Sequence, residues 1–278
     1  MTLPTTGNLT MTQIANEADL PTSVPVNLGN RAIRNVARSF VNDTRIAYTD
    51  LQGKSKFTFT NGSFTEGNIT STTSTLSEVS GWLIYLEQVK MNGMSTIAGF
   101  PTPTDSTPPS DNSPAYPQPG YAGYSYEVTL DPNLPPGDSP PMQSLRLVSL
   151  GITNSFGVVH GPYAVSKLPI ALEEGDEVSF WWKAEGGTDA YDIFAYLVKT
   201  TTGSTIKLID QTGASSTAST PWAKVTHIIT NAEASANWQI PDYKFVFVSG
   251  SYDFSGGQWT GASLYVTQIK VKKWFESL

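Results

Sequence analysis

The sequence predicts a mainly β protein: an antiparallel, jelly-roll-like β-sandwich preceded by a short, partly helical N-terminal arm. Three observations carry that expectation. With 23 Gly, 19 Pro and only 15% charged residues among 278, the composition suits strands and turns, whereas long helices need runs of Ala, Leu, Glu and Lys. About ten short segments of apolar or alternating character are separated by Gly, Pro and Asn turns, the pattern of a two-sheet all-β domain. The third observation is the block from Phe156 to Val198. In it Val178, Phe180, Trp182 and Ala184 share one strand face while Glu177, Ser179, Trp181 and Lys183 share the other. Beyond the turn at Gly186-Gly187, Ile193, Ala195 and Leu197 alternate with Phe194, Tyr196 and Val198. That second strand is apolar on both faces, as expected of one central in its sheet.

Residues 1–55 differ from the rest. Thr10 and Gln13 have capping-box spacing ahead of Ile14, Ala15 and Ala18, which predicts a short helix ended before Pro21. Asn30 caps a second predicted helix with Ile33, Val36, Ala37 and Phe40 on one side and Arg31, Arg34 and Arg38 on another. Four of the five arginines lie between positions 31 and 45. So short a segment cannot bury a core alone. It reads either as an arm docking through Ile14, Arg31, Ile33, Arg34, Val36, Arg38 and Phe40, or as a solvated helical decoration of the β-domain, residues 56–278.

Within that domain, Lys56 to Phe64 reads as a hairpin around Asn61-Gly62, and Gly81 to Met91 as one buried strand with Trp82, Ile84 and Leu86 facing one way. Twelve of the nineteen prolines crowd into residues 101–141 beside Tyr116, Tyr121, Tyr124 and Tyr126. Proline removes ladder donors, so most of this stretch is expected to be long loop or sheet edge pinned by its tyrosines. Further strands are expected at Ser144–Ser149, Val158–Val165, Thr205–Ile209, Lys224–Thr230, Lys244–Val248 and Leu264–Lys272.

Composition also excludes functions. A net charge of −7 argues against nucleic acid, whose phosphates need clustered Lys and Arg. Disulfides and thiolate metal sites are ruled out by the lack of cysteine. No run of about 20 apolar residues exists to span a membrane, and the first residues lack the pattern of an export signal, so synthesis in a cytosol is expected. Two histidines, His160 at an expected strand end and His227 inside a strand, stand without a hydrolase or metalloprotease motif and read as structural.

The carboxylates Asp176, Asp189, Asp192 and Asp253 are the candidates for a glycan depolymerase, which needs two carboxyl groups across a cleft. Glu66, Asp189, Asp192 and Asp253 are candidate oxygen ligands for a structural calcium ion. Aromatics suited to stacking on sugar rings are Tyr121, Tyr124, Trp222, Trp238 and Trp259.

Two resemblances follow from particular words of the sequence. LPTTGNLTMTQIANEA with IAYTDLQGKS (Ile46 to Ser55) resembles the N-terminal segment of many tailed-phage virion proteins. NGSF (Asn61 to Phe64), GFPTPTDST (Gly99 to Thr107), FGVVHGPYAVS (Phe156 to Ser166), DAYDIFAYLV (Asp189 to Val198), FVFVSGSYDFSGG (Phe245 to Gly257) and GASLYVTQIKV (Gly261 to Val271) resemble a β-sandwich module of cyanobacterial-phage structural proteins and bacterial surface adhesins. Together they imply a non-enzymatic virion protein of the tail or baseplate, a fibre or adhesin component. Its partners would be other virion proteins, its own copies, often as trimers, and host surface polysaccharide. A capsid decoration or neck protein is the alternative within the virion. The module commonly ends in Leu-Tyr-x-Asp-Asn; Thr267 and Gln268 replace the last pair here, which weakens a calcium site at that end.

Overall fold

The computed structural model describes residues 10–18, 20, 33, 59, 61–65, 70–71, 76–91, 96–105, 124–130, 143–149, 157–187, 189–213, 219–236, 241–253 and 261–274. They form one short helix and fourteen strands, more than the sequence segments suggested.

The helix α1 (Met11–Glu17) starts as its capping box dictates. The Gln13 N–H donates to Thr10 Oγ1 at 3.2 Å, and the Thr10 N–H donates to Gln13 Oε1 at 2.8 Å. Ile14 and Ile33 are fully buried within the chain. A side chain covered by its own chain offers no surface to a partner, which removes both from the expected docking set. Arg31, Arg34, Val36, Arg38 and Phe40 lie outside the described residues.

Two antiparallel six-stranded sheets make the sandwich. Sheet I contains β1 (Thr70–Ser71), β6 (Ser125–Leu130), β7 (Gln143–Val148), β14 (Ser263–Lys272), β9 (Glu177–Glu185) and β12 (Ala223–Ile228), in that spatial order. Sheet II runs β11 (Thr205–Thr212), β10 (Ala190–Lys199), β13 (Tyr243–Asp253), β8 (Gly157–Ser166), β3 (Trp82–Tyr85) and β2 (Leu76–Val79). A small hairpin, β4 (Thr96–Ile97) with β5 (Phe100–Pro101), stands apart.

Alternation fixes which side chains meet between the sheets. Val178, Phe180, Trp182 and Ala184 of β9 face Ile193, Ala195 and Leu197 of β10 and Phe245 and Phe247 of β13 in one apolar core. Edge-on aromatic packing tightens it, with Phe180 to Phe247 centroids at 5.0 Å, and Trp82 is fully buried beside Phe64 and Phe247.

A second apolar layer explains why β10 is apolar on both faces. Phe194, Tyr196 and Val198, with Tyr163, Val165, Val246 and Val248 of neighbouring strands, are covered by Val89, Met91 and Ile97. Residues 86–91 and 96–105 therefore lie as a strap over the outer face of sheet II. It is tied there by the Val89 N–H to His160 carbonyl bond at 2.8 Å and by the Tyr163 hydroxyl donating to Glu87 at 2.6 Å. Tyr85 stacks on Tyr163 with centroids 4.7 Å apart.

Four expectations change. Gly81 to Met91 is not one strand: β3 ends at Tyr85, and the chain leaves the ladder to become the strap. At Asn61-Gly62 the turn forms with Asn61 at φ 52°, but the Gly62 carbonyl accepts from the Ile269 N–H at 2.9 Å. The turn docks on β14, and among the described residues neither flank is a strand. Inside the proline-rich stretch, Ser125 to Leu130 carries no proline and alternates Tyr126 and Val128 inward, so it enters sheet I as β6. His160, placed by sequence at a strand end, sits within β8 and is fully buried.

Candidate functional site

Register across sheet I assembles a row of polar and aromatic side chains that no stretch of sequence contains. Cross-strand pairing sets Glu127 of β6 opposite Arg146 of β7, Arg146 opposite Tyr265 of β14, and Tyr265 opposite Lys183 of β9. Each strand contributes its core-facing neighbours to the interior, so these four point outward by the period-two rule. Trp222, just before β12, extends the row, because Ala223 pairs with Trp182 beside Lys183.

Contacts knit the row together. Arg146 Nη1 donates to Glu127 at 2.8 Å, and its Nε donates to Ser263 Oγ at 3.1 Å. Burial alone would weaken the guanidinium's hold on its proton, but Glu127, Tyr265 and Glu185 outweigh it and raise the pKa further. Lys183 Nζ donates to Glu185 at 3.1 Å and lies 4.3 Å from the Tyr265 ring centroid and 5.7 Å from that of Trp222. The Tyr265 hydroxyl donates to Glu185 at 2.9 Å, and Arg146 approaches its ring at 5.5 Å. Two cations thus hold the tyrosine ring. Glu127, Arg146 and Glu185 keep 32%, 33% and 43% of their side chains exposed, whereas Tyr265 and Lys183 between them are buried.

Trp222 is half-buried, and its indole N–H is enclosed without an acceptor among the described residues. Trp181, also half-buried, stands on the same face one row away, paired with Thr267 and Lys224. The face therefore offers two half-buried indole rings on adjacent rows, the Arg146 guanidinium and carboxylate acceptors, the mixture of apolar surface and polar groups that orients a polyhydroxylated ligand.

The other expected aromatics separate from this face. Tyr124 is fully buried in the inter-sheet core, so it packs the sandwich and has no ring face for a sugar. Tyr121, Trp238 and Trp259 lie outside the described residues.

The expected acidic residues prove to be buried struts. Asp176 is fully buried, its Oδ2 accepting from the Glu173 N–H at 2.8 Å and Lys273 Nζ at 2.6 Å, its Oδ1 from the Trp274 N–H at 3.0 Å. Asp189 caps the turn it closes, accepting from the Ala190 N–H at 2.9 Å. Asp192 accepts from Thr212 Oγ1 at 2.7 Å and meets His160 Nε2 at 3.0 Å. A depolymerase pair must face an open cleft, and none of these three carboxylates does. Glu66 and the Asp253 side chain lie outside the described residues.

His227 joins Glu233 at 3.1 Å. Burial pushes the Glu233 carboxyl up, but hydrogen bonds from the Thr230 N–H and hydroxyl and from His227 prevail and lower its pKa below the usual value.

Sequence reasoning placed Trp181 and Lys183 on the face away from the core and singled out Trp222. It missed Arg146 and Tyr265, whose strands adjoin although the Arg146–Ser263 contact spans 117 positions. No local signal encodes that neighbourhood.

No protein-family model matches the chain, and no curated protein matches it. Solved structures are similar in part. A family 4 carbohydrate-binding module matches at 16% identity and TM-score 0.29, over 55% of this chain and 96% of that one. A family 61 module solved with β-1,4-galactotriose matches at 10% identity and TM-score 0.31, over 53% of this chain and 81% of that one. The K1 cleaved adhesin domain of Lys-gingipain from Porphyromonas gingivalis W83 matches at 11% identity and TM-score 0.33, over 74% of this chain and 98% of that one.

Proposed function

We propose that the chain is a non-enzymatic virion component of a tailed phage, a tail or baseplate fibre or adhesin subunit, whose sandwich binds host surface glycan on the outer face of sheet I. The observation that carries the binding role is the cross-strand row Glu127, Arg146, Tyr265, Lys183 and Trp222, where a half-buried indole and the partly exposed Arg146, Glu127 and Glu185 are held in place by the buried Tyr265 and Lys183. The outer face of sheet II is occupied by described residues of the strap, among them Val89, Met91 and Ile97, so the outer face of sheet I is the one assigned to the ligand. Attachment to the particle is assigned to residues 1–55, on their resemblance to virion N-terminal segments and their cluster of arginines. Assembly as a symmetric homo-oligomer, a trimer in the fibre reading, would multiply a weak sugar contact into a firm one.

The test has two arms. Binding of the purified protein to an array of host-type polysaccharides is compared with that of Trp222→Ala, which is expected to lose about tenfold or more in affinity, as for a stacking anchor. Equal binding by the variant, or no glycan bound by the parent, refutes the glycan role. Deletion of residues 1–45 should abolish incorporation into particles, and normal incorporation would refute the docking role.

A further inference from the structure

Away from the sheet I face, three side chains converge beneath the strap. His160 comes from β8, Asp192 from β10 and Asp105 from the end of the strap. His160 Nε2 lies 3.0 Å from Asp192 Oδ2 and 4.0 Å from Asp105 Oδ2, and one ligand atom from each residue fits within 4.8 Å of the others. All three side chains are sealed from solvent, at 0%, 0% and 1% exposure.

Two physical arguments separate this cluster from an ordinary buried hydrogen bond. First, an imidazole Nε2 carries one proton and donates it in one direction, yet two carboxylates approach the same nitrogen. Ligands converge like this around an ion. Second, the two carboxylates stand together in a niche sealed from solvent, where like charges repel strongly and a shared divalent cation would relieve the repulsion.

The backbone is also shaped for the ring. At Gly250, within the register shift of β13 against β8, a Cβ would fall 2.1 Å from the Asp192 carbonyl oxygen and 2.9 Å from His160 Cδ2. Only glycine lets the imidazole and Asp192 come this close. Phe194 closes the niche edge-on to the imidazole at 5.3 Å, and Thr212 Oγ1 donates to Asp192 Oδ1 at 2.7 Å, orienting the carboxylate as outer-sphere partners do in metal sites.

We propose that Asp105, His160 and Asp192 bind one divalent transition ion of the zinc class, which staples the strap to sheet II. The imidazole decides the class, because calcium and magnesium take oxygen ligands whereas zinc accepts nitrogen and carboxylate donors together. The calcium expected at Asp192 from sequence thus gives way to a different metal with a different ligand set.

The full-length protein, stripped with a chelator and desalted, is titrated with zinc chloride. One equivalent should bind, surviving gel filtration, and the melting temperature should rise on loading. Asp105→Asn should lose stoichiometric zinc while the stripped variant keeps the parent's far-ultraviolet spectrum, and Thr212→Val should weaken binding by about tenfold. His227→Ala, at the half-buried histidine of β12, should bind as the parent does. Cobalt loading gives a readout independent of any variant: the visible bands of a nitrogen-and-oxygen site at one equivalent. Absence of stoichiometric zinc in the folded parent, unchanged binding in Asp105→Asn, or stoichiometric calcium in place of zinc would each overturn the proposal.

Discussion

Replacing Asp176 by Asn tests whether this carboxylate is a strut or a catalytic group. The carboxylate sits at the turn into β9, fully buried, and both oxygens are engaged. Asn keeps the shape but turns an NH2 group toward a donor and removes the partner of Lys273, whose side chain is only 13% exposed. Breaking one side of a buried ion pair costs about 3–5 kcal/mol, because the surviving charge stays buried. Whichever way the amide turns, one of the Trp274 and Glu173 N–H groups also loses its acceptor, while Lys273 keeps the Ala171 carbonyl at 2.7 Å. The lower end, about 3 kcal/mol, is therefore expected, a fall of about 6–12 °C in melting temperature for a domain of this size. Urea unfolding followed by tryptophan fluorescence checks it through the midpoint at constant m-value. The double variant Asp176→Asn with Lys273→Met should lose less than the two single changes added together, since the second removes the orphaned charge. A change below about 0.5 kcal/mol in Asp176→Asn would sink the reasoning, because that is the range of surface substitutions. Loss of a polysaccharide-cleaving activity without loss of stability would restore the depolymerase reading.

Three further outcomes are expected. Gly250→Ala should destabilise by about 3 kcal/mol or more through backbone overlap with Asp192, measurable by the same urea titration. At alkaline pH the tyrosines become the weak point. Burial, with Glu87 and the neighbouring Tyr85 and Tyr196, raises the Tyr163 pKa; burial alone raises that of Tyr196, and burial with Asp242 and Glu233 pushes Tyr243 up to about 12. Groups whose folded pKa is raised contribute stability that is fully present below the unfolded value of about 10 and is lost as pH climbs through the folded values. Stability should accordingly fall above pH 10, with Tyr243 ionising near pH 12 and Tyr163 and Tyr196 only as the sheet opens, followed by tyrosinate absorbance. Tyr163→Phe should remove the bond to Glu87 and speed proteolytic cutting within 86–105, at a cost of about 1 kcal/mol in global stability.

Much of the sandwich was legible because its signals are local. Val178, Phe180, Trp182 and Ala184 alternate with polar residues, and the period-two pleat forces one set inward whatever the rest of the chain does. Thr10 with Gln13 predicted the start of α1 for the same reason, since a capping box closes within four residues. Ile193 to Val198 was readable as apolar on both faces, but not as the floor beneath a strap. Of the covering residues Val89, Met91 and Ile97, the first two belong to a segment that looks like a continuing strand, although the ladder ends at Tyr85. The proline count hid β6, because composition averages over a stretch whose six strand residues are themselves free of proline.

By itself, then, the sequence determined the class of fold, the inward and outward faces of a strand such as β9, and a set of aromatic and acidic residues worth weighing. Only the tertiary structure decided which of them meet. It set Arg146 beside Tyr265 and Lys183, sent Tyr124 and Asp176 into the interior, and brought Asp105 under the strap to His160 and Asp192. The physical reason is that side-chain orientation is fixed within a few residues of the chain. Strand neighbours and register, by contrast, are fixed by burial and hydrogen bonding summed over the whole sandwich.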